Sequence, residues 1–225
     1  MNWFWGVLGI LVFLTAVLLI REGFTSRFAE ADCKVVGTQK TEDGRVELVN
    51  LSCKEGLPHT TDSNTIRMPV ALWTGPTRDD IMVHERVHLS QKREPAEWAE
   101  FYRRYWDYDI LPTPPASLPA EYVEALRPNP DTDAAPWALW RKRYLFFPNY
   151  ASSDKMLRNP RILVWDVQDR RLVSAPPEWT AFFCMDGSCP QQFEHPHELS
   201  AEMLTKGYTS PAAKQLQAWR SRSLP

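Results

Sequence analysis

Proline constrains this chain more than any other residue, with nineteen prolines against nine glycines in 225 residues. Each one fixes φ near about −65° and removes a main-chain donor, so neither a long helix nor a central strand passes through it easily. Short elements joined by stiff, extended connections are therefore expected. Pro95, Pro196 and Pro211 stand where the first turn of a helix tolerates proline. Pro69 interrupts "TIRMPVALW" (65–73), which for that reason reads as an edge strand. From Leu111 to Pro136 prolines are dense, and only one short helix near Ala120 to Leu126 is expected. That stretch is either a wrapping loop or a substrate-facing excursion.

The remaining elements follow from periodicity. "KVVGTQKTEDGRVELVNLS" between Cys33 and Cys53 reads as a hairpin with a three-residue loop, Glu42-Asp43-Gly44. In that register Val35 faces Leu51, Gly37 faces Val49 and Cys33 faces Cys53. A helix follows from about Arg78 to Arg93, with Thr77 and Asp80 spaced as a capping box. On the next helix Trp98, Phe101, Tyr102, Tyr105 and Trp106 form one aromatic stripe at i, i+3, i+4, i+7 and i+8, the pattern of a core face. "RKRYLFF" (141–147) and "RILVWDV" (161–167) are strand-like, the second turning through "QDRR" onto Leu172-Val173. Pro196 and Pro211 open two closing helices, the first ending near Gly207. Strands and helices in separate runs specify an α+β fold.

The first twenty residues differ in kind. "WFWGVLGILVFLTAVLLI" (Trp3 to Ile20) carries no charge and ends abruptly at Arg21-Glu22. About twenty apolar residues cross a bilayer as a helix, so residues 3–20 are expected to insert in the lipid bilayer, with Trp3 and Trp5 at the interface. The organisation is then a transmembrane anchor at 1–21 and one domain at 22–225. A cleaved signal peptide is the rival reading, with "AEA" at 29–31 as the cleavage site, but the apolar run is long and no basic residue precedes it. Arg21, Arg27 and Lys34 after the span favour a cytoplasmic domain by the positive-inside rule. Four cysteines in two local pairs, 33 with 53 and 184 with 189, favour an oxidising compartment instead. The sequon Asn50-Leu51-Ser52 points the same way. We expect a single-pass protein with its domain extracytoplasmic. A net charge of −2 argues against a nucleic-acid partner.

The chemistry is concentrated in "VHERVHLSQ" (83–91). On a helix His84 and His88 project from one face a turn apart, so both imidazoles reach a single ion. Glu85 is too close in sequence to join the same tetrahedron easily, and is placed to take a proton from an activated water. A third ligand decides the matter. "HPHELSAEMLT" (195–205) supplies Glu198 and Glu202 at i and i+4 on a helix opened by Pro196. One carboxylate completes a His2Glu zinc sphere, and the other can accept the free N–H of a ligating imidazole.

These two stretches resemble the gluzincins, the thermolysin-type zinc metallopeptidases. There an HExxH helix is completed by a later helix bearing Glu-x-x-x-Asp. "Glu198-Leu-Ser-Ala201-Glu202" matches with Glu in the last place. They are also similar to uncharacterised HExxH proteins of large DNA viruses and algae. The resemblance implies a zincin-like domain, Zn2+ held by His84, His88 and Glu198, Glu85 as general base, Glu202 behind a ligand, and a peptide or protein substrate. Gln91 and Glu94 stand where a metzincin has Gly and His. His195 and His197 remain alternative ligands to Glu198, and with Tyr150 they are candidate donors to a tetrahedral oxyanion. A catalytically inactive structural or interaction protein, with or without the metal, is the competing function.

Overall fold

A computed structural model describes residues 33–50, 56–126, 129–149, 161–185 and 187–223. The architecture is α+β, with two sheets and the helices packed between and beside them. The expected membrane span, Trp3 to Ile20, lies outside the described residues, and among those residues no helix is long and apolar enough to cross a membrane.

The first sheet has the order β1-β2-β4-β3, from β1 (Val35–Thr41), β2 (Gly44–Val49), β3 (His59–Thr60) and β4 (Thr65–Pro69). The hairpin register differs from the expected one. Thr41 pairs with Gly44 and Gly37 with Leu48, so only Glu42-Asp43 turns the chain, and an irregularity then brings Val35 opposite Val49. Gly44 is the physical reason. Its φ is 137°, a side chain there would overlap the Asn64 carbonyl, and that carbonyl accepts from the Arg45 N–H at 2.9 Å. The glycine thus begins a strand rather than filling a loop, and the register slips by one. Cys33 is disulfide-bonded, whereas Cys53 lies outside the described residues.

β4 is not an edge strand. It runs parallel to β2 and antiparallel to β3, between the two. Pro69 is tolerated because it occupies the last rung, opposite Val49, before the helical turn α1 (Val70–Trp73). Above this sheet lies α2 (Arg78–Arg93), with Val46, Ile66, Met68, Met82 and Leu89 forming the apolar layer between them. The expected capping box at its start is absent. Thr77 has ψ 3° rather than the extended value an N-cap needs, so its hydroxyl makes no cap bond.

The opposite side of α2 contributes Val87 to a large aromatic core. That core is built on α3 (Pro95–Tyr105), whose stripe is buried as expected: Trp98, Phe101, Tyr102 and Trp106 are closed off and Tyr105 partly so. The second sheet is an antiparallel meander of β5 (Tyr108–Leu111), β6 (Trp137–Trp140), β7 (Tyr144–Asn149), β8 (Arg161–Asp166) and β9 (Arg171–Val173). The strand expected over 141–147 begins later, at Tyr144. Arg141 and Lys142 have φ of 50° and 54° and turn the chain from β6, so the charged end of "RKRYLFF" is a turn. The strands β3, β5 and β6 had no sequence expectation, and neither did the helix α5 (Pro177–Phe183).

Both faces of the meander are covered. Phe146 and Val164 face the aromatic core, while Leu145, Phe147 and Trp165 pack with Leu118, Tyr122 and Leu126 from the proline-rich stretch around α4 (Ala120–Glu124). The proline-rich segment up to Leu126 is therefore a wrapping cover. The last two helices are α6 (Pro196–Lys206), stopped by Gly207 at φ 64°, and α7 (Pro211–Ser223). Leu199, Ala201 and Met203 of α6 lie in the aromatic core, which sets α6 against α2.

Candidate metal centre

The site forms where α2 meets α6. Helical spacing puts His84, Glu85 and His88 on one side of α2, and the proline start of α6 turns Glu198 towards them. The Nε2 atoms of His84 and His88 are 3.0 Å apart, and they lie 3.3 and 3.4 Å from Glu198 Oε2. A tetrahedral ion with bonds near 2.0–2.1 Å holds its ligand atoms roughly 3.3–3.4 Å from one another. The two distances to Glu198 are thus already at the edge length of such a sphere, the two imidazole nitrogens stand slightly closer together, and a fourth position is left over. Among the described residues these three form a group able to hold a metal ion.

Two of the three donor side chains are held from behind. His88 Nδ1 donates to Gln91 Oε1 at 2.7 Å. Asn129 Nδ2 donates to Glu198 Oε1 at 2.7 Å, which occupies one carboxylate oxygen and leaves Oε2 facing the histidines. Behind Gln91 is a buried polar cluster of Tyr102, Ser200 and the His197 carbonyl. Sequence reasoning missed both supports. Gln91 lies three residues after His88 on the same helix, so its spacing was a signal. Asn129 comes from the proline-rich stretch and has no periodicity to reveal it.

The electrostatics suit a cation. Burial works against charge on Glu198, but His88 and hydrogen bonds from both histidines outweigh it and hold its carboxyl well below the ordinary range. Burial likewise opposes charge on His88, yet Asp131, Glu198 and Glu85 raise it to about 10. Glu85 is pushed well above the usual carboxylate range by burial, then by Asp131 and Glu198. It is 3 % exposed and its Oε2 is buried without a hydrogen-bond partner. A buried, unpartnered carboxyl oxygen is costly unless something occupies its side of the site. The donor set and that orphaned oxygen fit a divalent ion with an exchangeable fourth ligand.

The segment 129–135 closes over this arrangement. Asp131 Oδ1 accepts from the Thr60 N–H at 3.0 Å and from the Thr60 hydroxyl. Lys92 Nζ donates to the carbonyls of Thr60 and Pro130 at 2.9 and 2.7 Å. Thr60 is the outward-facing residue of β3, so both main-chain groups it offers at the sheet edge are taken, and Pro58 before it has no N–H.

Other expected residues fall elsewhere. Glu202 is buried but makes its bonds to the Gln192 N–H, Lys206 and the Tyr208 hydroxyl. The support expected of it, at a ligating imidazole, is supplied to His88 by Gln91 instead. One helical turn carries Glu202 past the site, towards the chain that enters α6. His195 is the N-cap of α6: its Nδ1 accepts from the His197 N–H and its Nε2 donates to the Ala135 carbonyl, so both ring nitrogens are committed. His197 Nδ1 donates to the Asp131 carbonyl, and burial, with His88 nearby, lowers it to about 4. Neither histidine joins the group around Glu198 Oε2. Tyr150 lies outside the described residues. Comparison with known protein families, curated proteins and solved structures returns no match.

Proposed function

We propose that the chain is a zinc-dependent peptidase that hydrolyses peptide bonds in a peptide or protein substrate. The observation that carries this reading is the set of three donors within 3.0–3.4 Å of one another, with Glu85 on the same helix face as the histidines. Zinc bound there would acidify a water and polarise the scissile carbonyl. Glu85, kept out of bulk water and without a partner at Oε2, would be drawn back to its ionised form by the neighbouring cation, take the water proton and pass it to the leaving amine. His84, His88 and Glu198 hold the ion, and Gln91 and Asn129 keep two of them aligned.

Elemental analysis of the purified protein should find about one zinc per chain, lost on chelation and with His84→Ala or His88→Ala. Glu85→Gln should keep the fold and the zinc while abolishing cleavage of a peptide library, since it removes only the proton acceptor. Absence of any bound transition metal would sink the reading. The competing reading keeps the ion without the chemistry, and it is favoured by the closure of the β3 edge by Asp131 and Lys92 and by the burial of Glu85. Full zinc occupancy with no cleavage of any peptide would establish that alternative.

For location we propose a single-pass protein anchored through residues 3–20 with its domain extracytoplasmic. The Cys184–Cys189 disulfide supports an oxidising compartment. Recovery of the full-length chain in the soluble fraction after a carbonate wash would count against the anchor, and free thiols in native material against the side.

A further inference from the structure

We propose that Gln91 is a positioning residue that presents Nε2 of His88 to the metal by holding the proton on Nδ1. The inference rests on the metal reading above, and extends it to a residue that the two motifs do not contain. Gln91 is 1 % exposed, so each polar atom of its amide must be matched. Its Oε1 lies 2.7 Å from His88 Nδ1, and its Nε2 lies 2.9 Å from Ser200 Oγ, 3.1 Å from Tyr102 Oη and 3.1 Å from the His197 carbonyl.

The direction of the amide follows from proton counting. The His197 carbonyl can only accept, and the Ser200 hydroxyl donates to it at 2.9 Å. Ser200 Oγ must then accept from its other neighbours, so the Tyr102 O–H at 2.8 Å donates to it. Burial holds the Tyr102 phenol well above its ordinary pKa, so that proton is present. Three acceptors therefore surround one end of the Gln91 side chain, and the NH2 group, with two protons to donate among them, belongs there rather than the carbonyl oxygen. The carbonyl end is left facing His88, where it accepts an N–H from Nδ1 in either charge state of the ring. A reversed amide would face NH2 groups towards Nδ1 and strand its oxygen among acceptors, which a buried site does not tolerate. With Nδ1 committed as a donor, Nε2 is the nitrogen available to the ion, and it is the one facing Glu198 Oε2. A purely space-filling Gln91 would affect stability without selecting a nitrogen.

The test uses the full chain with Zn2+ alone, titrated against a competing chelator, and nitrogen-15 NMR of its histidines. In the zinc-loaded wild type His88 should carry its proton on Nδ1 and zinc on Nε2. Gln91→Met, close in volume but unable to accept, should weaken zinc binding about 10–100-fold, as losses behind a ligand do. Gln91→Glu keeps an oxygen at His88 Nδ1 but turns a second oxygen towards Tyr102 and Ser200, whose hydroxyls must rotate to donate to it, so it should bind zinc more tightly than Gln91→Met, below the wild type, with the same nitrogen bound. Ser200→Ala, which removes one acceptor orienting the amide, should give a smaller loss and serves if Gln91→Met does not fold. Zinc on Nδ1 of His88 in the wild type, or unchanged affinity in Gln91→Met or in Ser200→Ala, overturns the proposal and leaves the metal site standing. A wild type that binds no zinc overturns the metal reading itself, and the role of Gln91 falls with it.

Discussion

Single side chains in this protein are decided by where hydrogen bonds end rather than by residue type. Asn129 illustrates this, because its amide engages the Glu198 oxygen not turned to the histidines. Asn129→Ala should leave that oxygen buried and unmatched and weaken zinc binding about 10–100-fold, measured by chelator competition. Asp166 is the second case. Its carboxylate is 2 % exposed, accepts from Arg143 Nε and Nη2 at 2.9 and 2.7 Å, and caps the turn through the Gln168 and Asp169 N–H groups. The Arg143 bonds hold its pKa below the ordinary value against the opposing effect of burial. A depressed carboxyl pKa stabilises the fold fully above the unfolded value of about 3.9, and that contribution is lost as pH falls through the folded value. Asp166→Asn should therefore cost about 1.5–3 kcal/mol near neutral pH. Denaturant melts of the two proteins should begin to approach each other only below about pH 4 and meet once pH has fallen through the lower folded value, and a difference independent of pH would refute the assignment.

At the scale of elements, burial on both faces explains what sequence pattern conveyed and what it hid. "YLFFPN" lacks polar alternation because β7 is covered by the aromatic core on one side and by the proline-rich segment on the other. Phe146 stacks on Trp179 with centroids 4.9 Å apart, whereas Phe147 packs against Tyr122 at 5.3 Å on the far face. Phe146→Ala and Phe147→Ala should each cost about 3–5 kcal/mol in urea denaturation. A large loss at only one of them would mean the cover is not part of the folded core. Helices α3, α6 and α7 were legible because each has a physical start or stop in the chain, at Pro95, Pro196, Pro211 or Gly207, whereas the two-turn α5 went unread although Pro177 opens it. The hairpin register was not, because Gly44 is placed by Asn64, twenty residues away and in another turn. β6 escaped notice for a related reason: four residues, "WALW", carry no period of their own and become a strand only between β5 and β7.

For the whole molecule, the site ties two packing units together. α2 closes the first sheet through Met82 and Leu89, while α6 belongs to the aromatic core through Leu199, Ala201 and Met203. An ion shared between them would bind the folded state alone, so it should stabilise the entire chain by about 4 kcal/mol when free zinc is a thousandfold above its Kd. Thermal melts with and without chelator should show a clear drop in Tm for the wild type and almost none for Glu198→Ala. Equal drops in both would place the stabilising ion elsewhere.

What the sequence determined by itself is the local part: helices with punctuated ends, the pairing of His84 with His88, and a carboxylate at Glu198 on a second helix. These need only the helical period and the chemistry of one residue type, both of which are properties of neighbouring positions. What only the tertiary structure decided is convergence. It brought Glu198 within 3.4 Å of both imidazoles across more than a hundred residues, and gave the place behind His88 to Gln91 rather than Glu202. It also committed His195 to capping α6 and folded Asn129 over the site. Those outcomes depend on which buried polar atom finds which partner once the core has closed. That matching is set by packing in three dimensions, and apart from the i, i+3 placing of Gln91 on the helix of His88 no spacing along the chain encodes it.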